Sequence, residues 1–200
     1  MPFDPKIALY ACQKASAAYF YPTYTPGCAK FILETVNGVQ YFIPAGTCDL
    51  GNVLEDADAI LVERVGIGSI CKGDADYWSL CEPILLAYLS PDLPVACYGH
   101  SLAGSVSAIA SLELKNRGFK VLDCYTFGAK RTGDGAWETA WNNSGLNCYR
   151  LVVRRDPIPM LEGWLPHIGT EIAMGSEGIP LIEFHNIDTS YLPNVEQLYH

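Results

Sequence analysis

The 200-residue sequence predicts a three-layer α/β fold with a mostly parallel central sheet and an antiparallel edge hairpin. Three observations carry this. Short β-rich apolar runs alternate with amphipathic stretches along most of the chain. Two early runs, Lys30 to Thr35 and Val39 to Ile43, flank Val36-Asn37-Gly38, and Asn-Gly in that setting is a strong hairpin signal. Finally, the apolar run Val95 to Tyr98 passes through Gly99-His100-Ser101-Leu102-Ala103-Gly104 into the Ala/Ser/Leu-rich stretch Ser105 to Arg117. That is the order strand, sharp turn, helix.

The elements follow in chain order. Pro5 to Tyr21 reads as a helix, with Ala8, Ala11, Cys12, Ala15, Ala18 and Tyr19 at helical spacing and Pro22 ending it. After the hairpin, Gly51 to Ala57 reads as a helical turn and Asp58 to Ile67 as a strand. Asp76 to Leu89 is an amphipathic helix stopped by Pro91. Beyond the central turn come a strand at Val121 to Phe127, a short helix at Gly135 to Asn143 and a strand at Cys148 to Arg154. Thr170 to Met174 and Leu181 to Phe184 are strand candidates, and Asp188 to Tyr199 closes the chain as a helix. No repeat or linker divides residues 1–200, which read as one domain.

Composition bounds the function. Half of the residues are hydrophobic, as in a globular chain, and the formal charge of −9 argues against nucleic acid and anionic membrane surfaces as partners. An uncharged ester or neutral lipid stays compatible. No apolar run is long enough to span a bilayer, and the start shows no secretory leader, which gives a cytoplasmic protein as the expectation. The eight cysteines form no CxxC pair, so zinc and redox sites have little support and the thiols are expected to be mostly buried and reduced.

Ser101 is the candidate nucleophile. A serine on such a turn sits on a strained backbone with its Oγ exposed, and the N–H of the next residue, Leu102, points at whatever it attacks. A serine hydroxyl needs a base, a group to orient that base, and donors for the oxyanion. Downstream acids are Asp123, Asp134, Asp156 and Asp188; Asp156 lies just past a strand's carboxyl end, ahead of Pro157. The histidines are His100, His167, His185 and His200. His100 adjoins Ser101 and is directed elsewhere by the turn, and His200 is terminal, which leaves His167 and His185.

The Gly-His-Ser-Leu stretch resembles the nucleophile elbow of the class 3 lipases, the fungal-lipase-like branch of the α/β-hydrolases; Ala103, two residues after the serine, departs from the glycine of the motif. The likeness extends over nearly the whole chain: the alanine-rich first helix, Ala45-Gly46-Thr47, Tyr125-Thr126-Phe127-Gly128, Asp156-Pro157-Ile158-Pro159, and His185 leading into Tyr191. It implies an α/β-hydrolase fold and a serine carboxyl-ester hydrolase with Ser101, Asp156 and His185 as triad and Thr47 and Leu102 as oxyanion donors, without metal or cofactor. Ala45 stands where the family has arginine, and a competing register places the second donor near Gly66. Pro157 to Leu161 and Gly163 to Leu165 are expected to form an apolar lip, and the short Val65 to Gly73 interval implies a small lid or none. An acyltransferase on the same triad and a non-catalytic binding protein on the same fold are the other readings.

Overall fold

A computed structural model describes residues 2–46, 60–175 and 183–199. Thr47, the expected helical turn at 51–57, Cys48 and His200 lie outside the described residues.

The chain opens with α1 (Pro5–Phe20), capped by the Asp4 carboxylate, which accepts from the Lys6 N–H at 2.8 Å. The hairpin follows as β1 (Phe31–Val36) and β2 (Val39–Pro44), antiparallel in the register Val36↔Val39. Asn37 (φ 51°) and Gly38 (φ 77°) make the turn, and both positive angles match the twist that two-residue hairpins need. Next come β3 (Leu61–Arg64), β4 (Gly68–Cys71), α2 (Lys72–Tyr88), β5 (Val95–His100), α3 (Leu102–Asn116) and β6 (Cys124–Phe127). The rest comprises α4 (Gly135–Ser144), β7 (Cys148–Val153), β8 (Thr170–Met174) and α5 (Leu192–Tyr199).

The main sheet has the order β1-β2-β5-β6-β7-β8, parallel from β2 onward, with the antiparallel pairing confined to the β1 edge. This is the α/β-hydrolase architecture expected from the sequence. Every residue of β5 is buried, and alternate side chains serve opposite layers. Cys97 faces the side covered by α2, α3 and α4; Ala96 and Tyr98 face the side covered by α1 and the C-terminal turns. The small residues of α1 explain its close seat: Ala8, Ala11, Cys12, Ala15 and Ala18 are all buried.

Two expectations are corrected. The strand expected within 58–67 is the four-residue β3, and it lies outside the main sheet, pairing only with β4. Its residues are exposed or half-buried, whereas a central parallel strand needs apolar residues on both faces. The small hairpin is instead tied to α4: the Asp134 carboxylate caps that helix through the Trp137 N–H (2.9 Å) and also accepts from the Ser69 N–H (3.2 Å). The second correction concerns Glu183 and Phe184, which form part of a turn, not a strand; Leu181 lies outside the described residues. The last helix is entered through a π-helical turn, Ile187–Tyr191.

Candidate active site

Ser101 sits between the end of β5 and the first turn of α3 at φ 62°, ψ −133°. A non-glycine residue there is strained, and surrounding structure must hold it. Its N–H donates to the Phe127 carbonyl at 2.9 Å, which anchors the turn to the neighbouring strand. The departure from the motif at Ala103 is harmless because the close approach falls one residue later. A Cβ on Gly104 would come within 2.6 Å of the Ala129 methyl, whereas Ala103 is accommodated fully buried.

Asp156 and His185 meet across 29 residues of sequence. The His185 Nδ1 lies 2.8 Å from the Asp156 Oδ2, and both side chains are buried. Asp156 stands just beyond the carboxyl end of β7, where ligand chemistry gathers in such sheets. Its Oδ1 accepts from the Ile158 N–H at 2.9 Å, and its Oδ2 accepts a second bond from the Tyr191 hydroxyl at 2.5 Å. A carboxylate so loaded is fixed in position and accepts through both oxygens. With Nδ1–H directed at Asp156, His185 presents Nε2 as the free, basic nitrogen. Neither Nε2 nor the Ser101 Oγ has a hydrogen-bond partner among the described residues. The two side chains are therefore not hydrogen-bonded to each other, a looseness common in sites without substrate.

His100 stays out of this constellation but braces it. One ring nitrogen contacts the Tyr19 hydroxyl at 2.7 Å and the other the His185 carbonyl oxygen at 2.8 Å, with the two imidazole rings 4.6 Å apart. Burial, and then His185, hold its pKa well below the usual histidine value, so the ring is neutral and unsuited to carry charge. Gly128 (φ 59°) completes the floor: a Cβ there would fall 2.7 Å from the Tyr191 hydroxyl, 2.8 Å from the Asp156 Oδ2 and 3.0 Å from the His185 Cε1.

The remaining candidates are placed elsewhere. His167 contacts the Pro159 carbonyl through Nε2 at 3.0 Å, and burial followed by Arg150 and Arg131 lowers its pKa to about 4. Asp134 caps α4, Asp188 accepts from the Ser16 hydroxyl at 2.5 Å, and Asp123 accepts from the Asn147 amide at 3.0 Å. Leu102 opens α3, so its N–H belongs to the first-turn donors that lack an intrahelical acceptor. Gly46 packs on the elbow, where an added Cβ would lie 3.2 Å from that of Ser101. Gly66, the competing position, is in the β3–β4 turn with nothing within 4 Å of an added Cβ.

Tyr191 and Tyr19 carry no role in the sequence reading. Tyr191 follows His185 by six residues, close enough for the π-helical turn to bring its hydroxyl back onto Asp156, and that spacing was the available signal. Tyr19 reaches His100 across 81 residues, which no local pattern announces. Tyr191→Phe is expected to lower kcat on a short p-nitrophenyl ester about tenfold with KM nearly unchanged, because one bond to a buried carboxylate is lost. Steady-state kinetics checks this, and an unchanged kcat would remove the tyrosine from the positioning of Asp156.

The molecule has an α/β-hydrolase fold, a serine elbow and a buried histidine–aspartate pair. Residues 81–165 match the class 3 lipase family model. A secreted mono- and diacylglycerol lipase A of Penicillium cyclopium is 26% identical over 115 residues, covering 52% of this chain and 37% of the relative. A secreted mono- and diacylglycerol lipase 2 of Gibberella zeae is 33% identical over 94 residues, covering 40% of this chain and 23% of the relative. The match thus spans well under half the length of these relatives. The Rhizomucor miehei triacylglyceride lipase structure is similar with a TM-score of 0.74 at 20% identity, covering 84% of this chain and 79% of that one. Over these parts of its length the chain is similar to class 3 lipases.

The relatives named as secreted overturn the expectation of a cytoplasmic protein. That expectation rested on the first residues alone, and a secretory leader is a separable segment that takes no part in the fold. Among the described residues no helix is long and apolar enough to cross a membrane.

Proposed function

We propose that residues 1–200 act as one α/β-hydrolase domain that cleaves neutral acyl esters through an acyl-enzyme. The observation that carries the reading is the buried His185–Asp156 pair, together with a serine held at positive φ. Ser101 Oγ attacks the acyl carbonyl while His185 Nε2 takes its proton; the same proton then passes to the departing alkoxide, which leaves as the alcohol. Asp156 keeps Nδ1 protonated and stabilises the imidazolium without itself being protonated. The Leu102 N–H, at the positive end of α3, stabilises the oxyanion, with Thr47 as the second donor. Water, activated by His185, releases the acid.

The rim supports a reading of the substrate class. Met160 and Trp164 are about two-thirds exposed, while Ile158 and Leu165 on the same segment are buried, so the lip presents apolar side chains on a fixed base. An exposed apolar lip suits an acyl chain. The mono- and diacylglycerol lipases among the relatives bring partial acylglycerols forward as the substrate. The Val65 to Gly73 interval is a tight hairpin running into α2, which favours a small lid or none there.

A fluorophosphonate probe tests the nucleophile. The wild-type protein is expected to label stoichiometrically, and Ser101→Ala to lose both labelling and release of fatty acid from monoacylglycerol while keeping its thermal midpoint. Wild-type protein that folds but neither labels nor hydrolyses would sink the proposal in favour of a non-catalytic role.

A further inference from the structure

On the opposite side of the sheet from His185, a small cavity lies between α3, the ends of β6 and β7, and the segment 166–168. None of Ser101, Asp156 and His185 lines it. About 10 Å³ of it is open to the centre of a water-sized sphere. That is room for one monoatomic particle and too little for a phosphate or carboxylate.

Its lining is electrically one-sided. Lys130, Arg131, Arg150 and His167 contribute, and no carboxylate does. Four lining side chains also carry buried polar atoms with no hydrogen-bond partner among the described residues: Thr126 Oγ1, Arg131 Nε, Trp137 Nε1 and Arg150 Nη1. Thr126, Trp137 and Arg150 are each more than nine-tenths buried. Leaving such donors unsatisfied is costly, more so when they are charged.

The neighbouring acids are already engaged. Asp74 pairs with Lys130 at 3.0 Å, Glu171 with the Arg150 Nη2 at 3.2 Å, and Glu162 faces Lys130 and Arg131 from outside the cavity. One further nitrogen of each guanidinium holds the lip segment, Arg131 Nη1 donating to the Leu165 carbonyl at 2.5 Å and Arg150 Nε to that of Ile168 at 2.8 Å. The lowered pKa of His167 comes first from its burial and then from Arg150 and Arg131.

We propose that this cavity binds one monoatomic, monovalent anion of the halide class, held by Arg131, Arg150 and Trp137 with the Thr126 hydroxyl turned towards it. A water molecule is the natural competitor. It accepts only two hydrogen bonds, and its own two protons would meet a wall with three obligate donors. An anion accepts from all of them and offsets the two guanidinium charges that anchor residues 165–168.

Thermal unfolding in sodium bromide, against sodium gluconate at equal ionic strength and pH, provides the test. Bromide is expected to raise the midpoint saturably, by about 2–4 °C, and gluconate not to. Trp137→Phe removes one donor, along with part of a buried indole, and should raise the half-saturating bromide concentration about tenfold. Anomalous diffraction from crystals of the wild-type protein grown in bromide should show a peak bounded by Arg131, Arg150 and Trp137. Equal midpoints in the two salts, an unshifted bromide dependence in Trp137→Phe, or a water in the cavity without an anomalous peak would each overturn the assignment. The wild-type diffraction decides the matter even if the variant does not fold.

Discussion

Replacing His185 by alanine is expected to lower kcat on a short p-nitrophenyl ester by about 10⁴-fold or more, while His167→Ala leaves kcat unchanged. The two histidines occupy opposite environments. His185 is bonded to a buried carboxylate that is itself held by two further donors. In the proposed mechanism, proton uptake at its Nε2 creates a cation beside an anion, which lowers the barrier for serine attack. His167 meets a carbonyl oxygen and two guanidinium groups, so a proton added there would be repelled. Its removal costs one neutral hydrogen bond, about 1 kcal/mol of stability, and should appear as a small drop in the thermal midpoint. Measuring kcat, fluorophosphonate labelling rate and midpoint for both variants separates the cases. Activity that survives His185→Ala and disappears in His167→Ala would reverse the proposed base.

The contest between these histidines shows what was readable from residues alone. The elbow is legible because its chemistry is local: a strand, a glycine, a serine and a helix are consecutive, and the required small residues are visible at Gly99, Ala103 and Gly104. Asp156 stands out locally as a strand-end Asp-Pro, a pattern that an ordinary turn also gives, and its choice rests on the resemblance of Asp156-Pro157-Ile158-Pro159 to the family. The hairpin at Asn37-Gly38 is read from two residues whose positive φ the turn demands. By contrast, the supports of the site are long-range. Tyr19 and His100, or Asp156 and Tyr191, are 81 and 35 residues apart, and only packing of α1 and the π-helical turn on the sheet brings them together. The strand at 61–64 was readable as a strand and not as a strand outside the sheet, since its partner, Gly68–Cys71, is short and rich in small residues. The donor cluster around Thr126 and Trp137 has no linear signature, because its members come from α4, β6, β7 and the loop after β6.

Gly99→Ala is expected to destabilise the protein strongly. Gly99 is the next-to-last residue of β5, and a Cβ there would overlap the Ala103 carbonyl, with its carbon 2.5 Å away, and approach the Ser107 Oγ at 2.7 Å. The obstacle is the backbone of the first turn of α3, so no side-chain rotation relieves it. β5 and α3 would have to separate, although β5 is buried along its whole length and Ala103 to Leu112 of α3 are buried throughout. Overpacking that displaces backbone in a closely packed core costs about 3 kcal/mol or more, a large part of the roughly 5–15 kcal/mol that stabilises a typical domain. The expected midpoint falls by about 10 °C, with much of the protein recovered insoluble. Gly135→Ala is the matched control: Gly135 opens α4, and nothing lies within 4 Å of an added Cβ. It should leave the midpoint unchanged or raise it slightly. Calorimetry and soluble yield of the two variants side by side test the packing of helix on strand, and a Gly99→Ala midpoint equal to that of Gly135→Ala would show that the elbow tolerates a Cβ at the position where it is tightest.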